Sequence, residues 1–259
     1  MSAYQTMGRP DRDSVTVRGR DLSTELIGRI GFTEMIALEL SARLPNDRER
    51  AILDAVLVAL AEHGLTPTAV VARLTDLGAP GALQGAVAAG LLGAGDRFLG
   101  ALDGCGHILQ EWPADVSTAE HARAVAARER AAGRRMPGLG HPTHTQGDPR
   151  TSALYAVADA HALPTVMRDR LDALRGAAEA ASGRVLPINV DGASAALLSE
   201  IGIPWRILRG IALVARTAGL VGHLWDEARH PSAMAIWGAA EEVVPYRAPG
   251  PAEPGTAYR

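Results

Sequence analysis

Apolar residues recur at three- and four-residue intervals along most of the chain, and this spacing restricts what it can fold into. Ile52, Val56, Leu57 and Leu60, for example, form one broad apolar face of a helix. Only the segment 15–18, Val-Thr-Val-Arg, alternates as a short strand does. The sequence therefore predicts an all-α protein.

Prolines, glycines and capping residues divide the chain into these helices. Asn46 follows a proline at the head of one helix, and Ser117 with Glu120 forms a capping-box pair at the head of another, which Gly133 can end. The predicted helices lie at 51–61, 66–77, 82–94, 117–133, 151–161, 165–181, 191–201 and 205–225. The tail 248–259 is rich in proline and glycine and is predicted to be disordered.

Composition limits the chemistry available to the chain. With 259 residues, of which 47% are hydrophobic, it can bury a substantial core without disulfides. Its single cysteine, Cys105, fits a reducing cytoplasm, and we expect this residue to be a small buried side chain rather than a nucleophile. All 26 basic residues are arginine, which excludes Schiff-base chemistry on a lysine. No metal-ligand constellation is visible, so no metal is expected.

Charge and hydropathy narrow the class of partner. The formal net charge of −3 gives no basic field, so nucleic acid is not an expected partner. The N-terminal segment is polar, and no apolar run reaches the roughly 18 residues that a membrane span needs. We therefore expect a cytoplasmic protein with no membrane contact.

Three separate segments contain residues that suit catalysis or ligand binding. The stretch 136–144 places His141 and His144 in a glycine-rich loop, where glycines let a ligand approach the backbone and a histidine can exchange protons. A turn whose histidines only cap helices is equally compatible with this stretch alone. Asp191 follows an apolar run at the start of a predicted helix, as a helix cap or as a partly buried acid–base group. Arg216 lies inside an apolar helix and therefore needs an anionic partner.

The order and spacing of these segments resemble the citrate-synthase superfamily. In that family a glycine-flanked histidine loop with a DPR triplet precedes an asparagine–valine–aspartate segment, and an ART-AG helix ending in histidine follows. The corresponding segments here are GLGHPTHTQGDPR (138–150), INVDGASAALLSEIGIP (188–204) and ARTAGLVGH (215–223). The resemblance extends from about residue 15 to residue 247.

A fourth segment resembles one branch of the superfamily. Where citrate synthases carry a histidine that hydrogen-bonds the thioester oxygen, this chain reads GDRFLGALD (95–103), with Phe98 at the aligned position. This segment resembles the corresponding one in the citryl-CoA lyase module of ATP-citrate lyase and in stand-alone citryl-CoA lyase-like proteins. A second departure is Pro142, which stands where the family has an arginine that holds a substrate carboxylate.

The resemblance implies a role for each of these residues. Asp191 would exchange a proton with the acetyl methyl carbon, and His141 would act on the carbonyl or hydroxyl oxygen of the other half of the substrate. Arg216, Phe98 and His144 would bind substrate. CoA, as an acyl-CoA substrate, would lie along the backbone of Gly138, Leu139 and Gly140, with its phosphates near Arg150, Arg134 and Arg135. A solvated surface face is the alternative for Arg134 and Arg135.

The resemblance also implies an architecture and an assembly. A large helical subdomain (15–110 and 188–247) and a small one (111–187) would flank the active-site cleft, and the protein would be a homodimer. The first functional reading is a citryl-CoA lyase-type enzyme that yields acetyl-CoA and a 2-oxo acid such as oxaloacetate. The alternatives are a citrate or methylcitrate synthase-like condensing enzyme and a catalytically silent acyl-CoA-binding homologue. Its small-molecule partners would be an acyl-CoA and a 2-oxo acid or tricarboxylate.

Overall fold

Helices account for most of the protein in the computed structural model, which describes residues 3–141 and 144–248 apart from the side chain of Arg97. The all-α fold class predicted from the sequence is confirmed. The helices are α1 (Phe32–Ser41), α2 (Asp47–Ala61), α3 (Pro67–Gly78), α4 (Leu83–Leu92), α5 (Gly95–Phe98), α6 (Gly100–Gln110), α7 (Thr118–Ala131), α8 (Pro149–Ala160), α9 (Val166–Ser182), α10 (Val190–Glu200), α11 (Trp205–Arg229) and α12 (Ala233–Val243).

A small antiparallel sheet precedes the helices. Its strands β1 (Gly8–Pro10), β2 (Val15–Val17) and β3 (Arg20–Asp21) pair in the order β1-β2-β3, and a π-helical turn (Leu22–Leu26) follows. The predicted strand at 15–18 is therefore present as β2. Strands β1 and β3 were not predicted, because three and two residues are too few to show an alternating pattern.

Helix ends follow the capping chemistry read from the sequence. Asn46 Oδ1 accepts a hydrogen bond from Glu49 N–H at 2.9 Å, and the Glu49 carboxylate accepts one from Asn46 N–H at 2.9 Å. Ser117 Oγ accepts from Glu120 N–H at 3.3 Å and starts α7. Gly133 lies just beyond the end of α7 with a φ of 65°. These bonds satisfy amides that the first turn of a helix leaves unpaired.

The chain forms two compact units, one made of residues 3–62 and 95–216, the other of residues 63–94 and 217–248. In the first unit α10 is almost wholly buried and packs against α6, α8, α9 and α2. In the second unit α3 packs closely on α4. A Cβ on Gly90 would lie 2.8 Å from the Thr68 carbonyl oxygen, so this contact requires glycine.

The subdomains expected from the resemblance divide the chain differently from these units, and that division stays a prediction. Of the predicted disordered tail, residues 249–259 lie outside the described residues. Helix α11 is long and apolar enough to cross a membrane by length and composition alone. Its buried side chains, including Leu208, Ile211 and Leu220, are covered by protein, as in the core helix of a folded domain.

Candidate active site

Backbone hydrogen bonds join the histidine loop to the segment before α10, although the two are some fifty residues apart in sequence. Gly140 N–H donates to the Pro187 carbonyl at 2.7 Å, and Asn189 N–H donates to the Gly138 carbonyl at 3.1 Å. Leu139 and Ile188 form the antiparallel bridge between them. The structure thus brings together two of the segments that the sequence singled out.

Two glycines make this contact close. Gly138 has a φ of +80°, which favours glycine, and a Cβ on it would lie 2.7 Å from Gly192 Cα and 2.9 Å from Cys105 Sγ. A Cβ on Gly192 would lie 2.4 Å from the Gly138 carbonyl oxygen. The loop can therefore rest directly on the first turn of α10 only while both positions are glycine.

Asn189, rather than Asp191, caps α10. Its Oδ1 accepts from Gly192 N–H at 3.0 Å, and its Nδ2 donates to the Gly140 carbonyl at 2.8 Å. The interpretation of Asp191 as a simple helix cap is therefore wrong. Asn189 was not among the predicted site residues, although an asparagine just before an apolar helix is a recognisable capping signal.

Asp191 lies in the first turn of α10, partly accessible to solvent but deep among protein atoms. Burial raises the pKa of its carboxyl to about 6, because a charged group is poorly solvated there. Arg150 and Arg216 act in the opposite direction and Asp148 adds to the rise. A carboxyl with such a pKa can both take up and release a proton near neutral pH, as an acid–base catalyst must.

Arg150 is bound to a neighbouring carboxylate. Its Nε and Nη2 donate to the two oxygens of Asp148 at 3.0 and 2.8 Å. Asp148 is 3% exposed and begins α8. This pairing occupies one edge of the Arg150 guanidinium, formed by Nε and Nη2. The predicted role of Arg150 at the CoA phosphates stays a prediction.

Arg216 is buried, at 7% exposure. Its Nε and Nη1 have no hydrogen-bond partner within the part of the chain that the structure describes. Burial lowers the pKa of this guanidinium, while Glu62 and Asp191 raise it. Because buried donors without acceptors are rare and unfavourable, these two atoms are suited to receive an anionic group such as a carboxylate.

The two loop histidines lie side by side, with ring centroids 4.5 Å apart. His144 N–H donates to His141 Nδ1 at 3.0 Å, so a neutral His141 carries its hydrogen on Nε2. In this form the ring can donate from Nε2 to a ketone or alkoxide oxygen. Pro142, between the two histidines, lies outside the described residues.

Phe98 ends the short helix α5 and is 44% exposed. Arg209 of α11 holds the region around it through ion pairs with Asp96 at 2.9 Å and Asp103 at 2.8 Å. Helix α6 follows at once and carries Cys105 against the histidine loop. The structure thus fixes the position of α5, and the substrate-binding role of Phe98 stays a prediction.

The other predicted residues differ in their surroundings. Cys105 is buried, as predicted, and burial raises the pKa of its thiol to about 12. Leu139 is buried and Gly140 has a φ of +76°. Arg134 is bound through Nε and Nη2 to the Glu129 carboxylate.

Comparisons with known proteins identify the family and the fold. The family described as citrate synthase, C-terminal domain, matches residues 17–236. The citryl-CoA lyase structure from Hydrogenobacter thermophilus is 28% identical and superposes with a TM-score of 0.84 over 97% of this chain and 96% of that one. Citrate synthase from Thermotoga maritima, at 16% identity, shares the fold, with a TM-score of 0.67 over 89% of this chain and 60% of that one.

A sequence relative from Mycobacterium tuberculosis, assigned as citrate synthase 2, is 29% identical over 81% of this chain and 54% of its own length. The chain thus spans about half the length of this curated relative. The match to the family covers nearly all the helices and includes the histidine loop, Asp191 and Arg216. The chain belongs to the citrate synthase family.

Proposed function

We propose that this protein is a citryl-CoA lyase-type enzyme, which cleaves citryl-CoA or a similar thioester to acetyl-CoA and a 2-oxo acid such as oxaloacetate. The observation that carries the proposal is the Asp191 carboxyl, with a pKa of about 6, held by backbone bonds against a loop that carries His141. An acid and a base of this kind on facing segments suit carbon–carbon cleavage beside a thioester.

The cleavage step is a retro-Claisen reaction. His141 takes the proton of the tertiary hydroxyl on Nε2, and the hydroxyl oxygen becomes the ketone oxygen of the 2-oxo acid. The carbon–carbon bond breaks, and its electron pair passes to the thioester half as an enolate. Asp191 then gives its proton to the enolate carbon, which forms the methyl group of acetyl-CoA. At pH 7 a carboxyl with a pKa of about 6 is protonated in roughly 10% of molecules.

Proton uptake by His141 requires a different tautomer of its ring from the one in the structure. Nε2 must be unprotonated to act as the base, so the ring hydrogen must lie on Nδ1. This removes the acceptor that His144 N–H uses in the structure. We infer that the loop adjusts when substrate binds.

Two observations favour cleavage over condensation. The lyase from H. thermophilus matches over almost the full length of both chains, whereas the T. maritima synthase is covered to 60%. Phe98 also stands where synthases have a hydrogen-bond donor to the thioester oxygen. The condensing reaction remains the second candidate, since it would also use His141, Asp191 and Arg216. One sequence relative is also assigned as a citrate synthase.

Substrate binding is assigned by charge and by access to the backbone. Arg216 would hold a carboxylate of the citryl group, because two of its buried donors lack acceptors among the described residues. CoA would lie along residues 138–140; a solved ATP citrate lyase structure from Methanothrix soehngenii, which shares this fold, contains citrate and coenzyme A. We also propose a cytoplasmic homodimer, for which the single cysteine and the family's dimeric assembly are the support.

The purified protein should be incubated with citryl-CoA and, separately, with acetyl-CoA plus oxaloacetate, and the products followed by mass spectrometry. We expect acetyl-CoA and oxaloacetate from the first mixture and little citrate from the second. Citrate and unacylated CoA from the second mixture alone would make the protein a synthase. No product in either mixture, with CoA still bound, would make it a silent binding protein.

A further inference from the structure

The buried carboxylate of Asp148 joins two segments of the first unit. Oδ1 accepts from the N–H and Nε of Arg150 at 3.1 and 3.0 Å. Oδ2 accepts from Arg150 Nη2 at 2.8 Å and from Val190 N–H, on α10, at 3.0 Å. The side chain is 1% exposed, so each oxygen is fixed by two donors in a site that excludes water.

These bonds act on the residues next to Asp191. Val190 donates its backbone N–H to the Asp148 carboxylate and directly precedes Asp191 in the chain. Thr151 Oγ1, also in the first turn of α8, donates to the Ile188 carbonyl at 3.1 Å. The start of α8 therefore holds the start of α10 at two points, and it also holds the Arg150 guanidinium in one orientation.

We propose that Asp148 is a positioning residue for Asp191, because its one buried carboxylate fixes both the Arg150 guanidinium and the Val190 amide beside the catalytic carboxyl. The inference rests on the proposed role of Asp191 in proton transfer. Asp148 needs no contact with substrate, since it acts through Arg150 and the backbone.

The charges around Asp191 predict the direction in which its pKa shifts when Asp148 or Arg150 is replaced. The charged groups that act on Asp191 are Asp148 and Arg150 of α8 and Arg216 of α11; the neutral Cys105 thiol of α6 is also near, and the facing loop carries His141 and His144. Asp148→Asn removes a negative charge and leaves Arg150 without its counter-ion. Both changes favour ionised Asp191, so they lower its pKa. Arg150→Gln removes a positive charge and raises that pKa.

A carbon-13 NMR titration of the protein labelled at its aspartate carboxyl carbons tests this without requiring turnover. The Asp191 signal is the one that is lost in Asp191→Asn. We expect its midpoint near pH 6 in the wild type, lower by about one unit in Asp148→Asn, and higher in Arg150→Gln. Asp159→Asn is the matched control, since it removes another α8 carboxylate from an arginine pair, with Arg168 at 2.7 Å.

An unchanged Asp191 midpoint in Asp148→Asn, or an equal shift in Asp159→Asn, would overturn the proposal. If Asp148→Asn does not fold, Arg150→Gln carries the test, and an unchanged or lowered midpoint in that variant overturns it. The titration is independent of the proposed function, which fails separately if the wild type cleaves nothing.

In an active enzyme, cleavage requires protonated Asp191. The pH above which kcat/KM declines should therefore move lower in Asp148→Asn, while the KM for citryl-CoA stays within about twofold. A purely structural defect would reduce the amount of active enzyme and leave the pH profile in place.

Discussion

Gly192, in the first turn of α10, lies against the Gly138 carbonyl so closely that a Cβ on Gly192 would be 2.4 Å from that oxygen. The atoms nearest to such a Cβ all belong to the backbone of Gly138, so the backbone itself would have to move. This contact sets the spacing between the histidine loop and Asp191.

Gly192→Ala should therefore separate the loop from α10. We expect a loss of about 1–3 kcal/mol in the free energy of unfolding and a loss of cleavage activity larger than the stability change explains. Urea denaturation and kcat/KM measure the two effects. Gly176→Ala is the control, because a Cβ there meets nothing within 4 Å and an alanine inside helix α9 should stabilise slightly. Equal stability of the two variants would refute the contact.

Asp191 should destabilise the protein as it ionises. Its pKa is raised from 3.8 to about 6 in the folded state, so the folded protein binds the proton more tightly than the unfolded chain does. The contribution of Asp191 to stability is then greatest below about pH 4, falls as the pH rises to about 6, and is lower by on the order of 3 kcal/mol above that. We expect Asp191→Asn to remove this fall. Urea denaturation of the wild type and of Asp191→Asn, between about pH 4 and 6 and above pH 6, measures the free energy of unfolding. The same pH dependence in both proteins would contradict the prediction.

Arg216 should be retained for binding rather than for stability. Two donors of this buried guanidinium have no acceptor among the residues that the structure describes, so replacing it by an apolar chain of similar length relieves a desolvation cost. We expect Arg216→Met to unfold at the same or a higher urea concentration, with the KM for citryl-CoA raised at least about tenfold. Arg168→Met, which removes a buried arginine paired with Asp159, should instead destabilise. Loss of stability in Arg216→Met would show that its main partner is protein.

Cys105 should be inert in the folded protein. Burial keeps its thiol protonated at neutral pH and excludes reagents. We expect almost no reaction with a thiol-specific reagent under native conditions and complete reaction of the same thiol in denaturant. Since the chain has one cysteine, the signal is unambiguous. Rapid native labelling would mean that α6 opens away from the histidine loop.

Several parts of the fold and site could be predicted from the sequence, because they depend on local chemistry. The helices follow from apolar spacing and from caps such as Asn46 and Ser117. The burial of Cys105 follows from its apolar character. The relation between Asp148 and Val190 could not be predicted in this way, because it joins residues far apart in sequence through one buried oxygen. For the same reason the pairing of Arg150 with Asp148 could not be predicted, and Arg150 was expected only near the CoA phosphates.

The central claim is that Asp191 delivers a proton to carbon during cleavage, and the most direct test is the reaction of citryl-CoA in deuterium oxide, followed by mass spectrometry. We predict acetyl-CoA with one deuterium in its methyl group from the wild type, and formation at least about 100-fold slower in Asp191→Asn. Cleavage by Asp191→Asn at the wild-type rate, or no cleavage by the wild type, would contradict the claim.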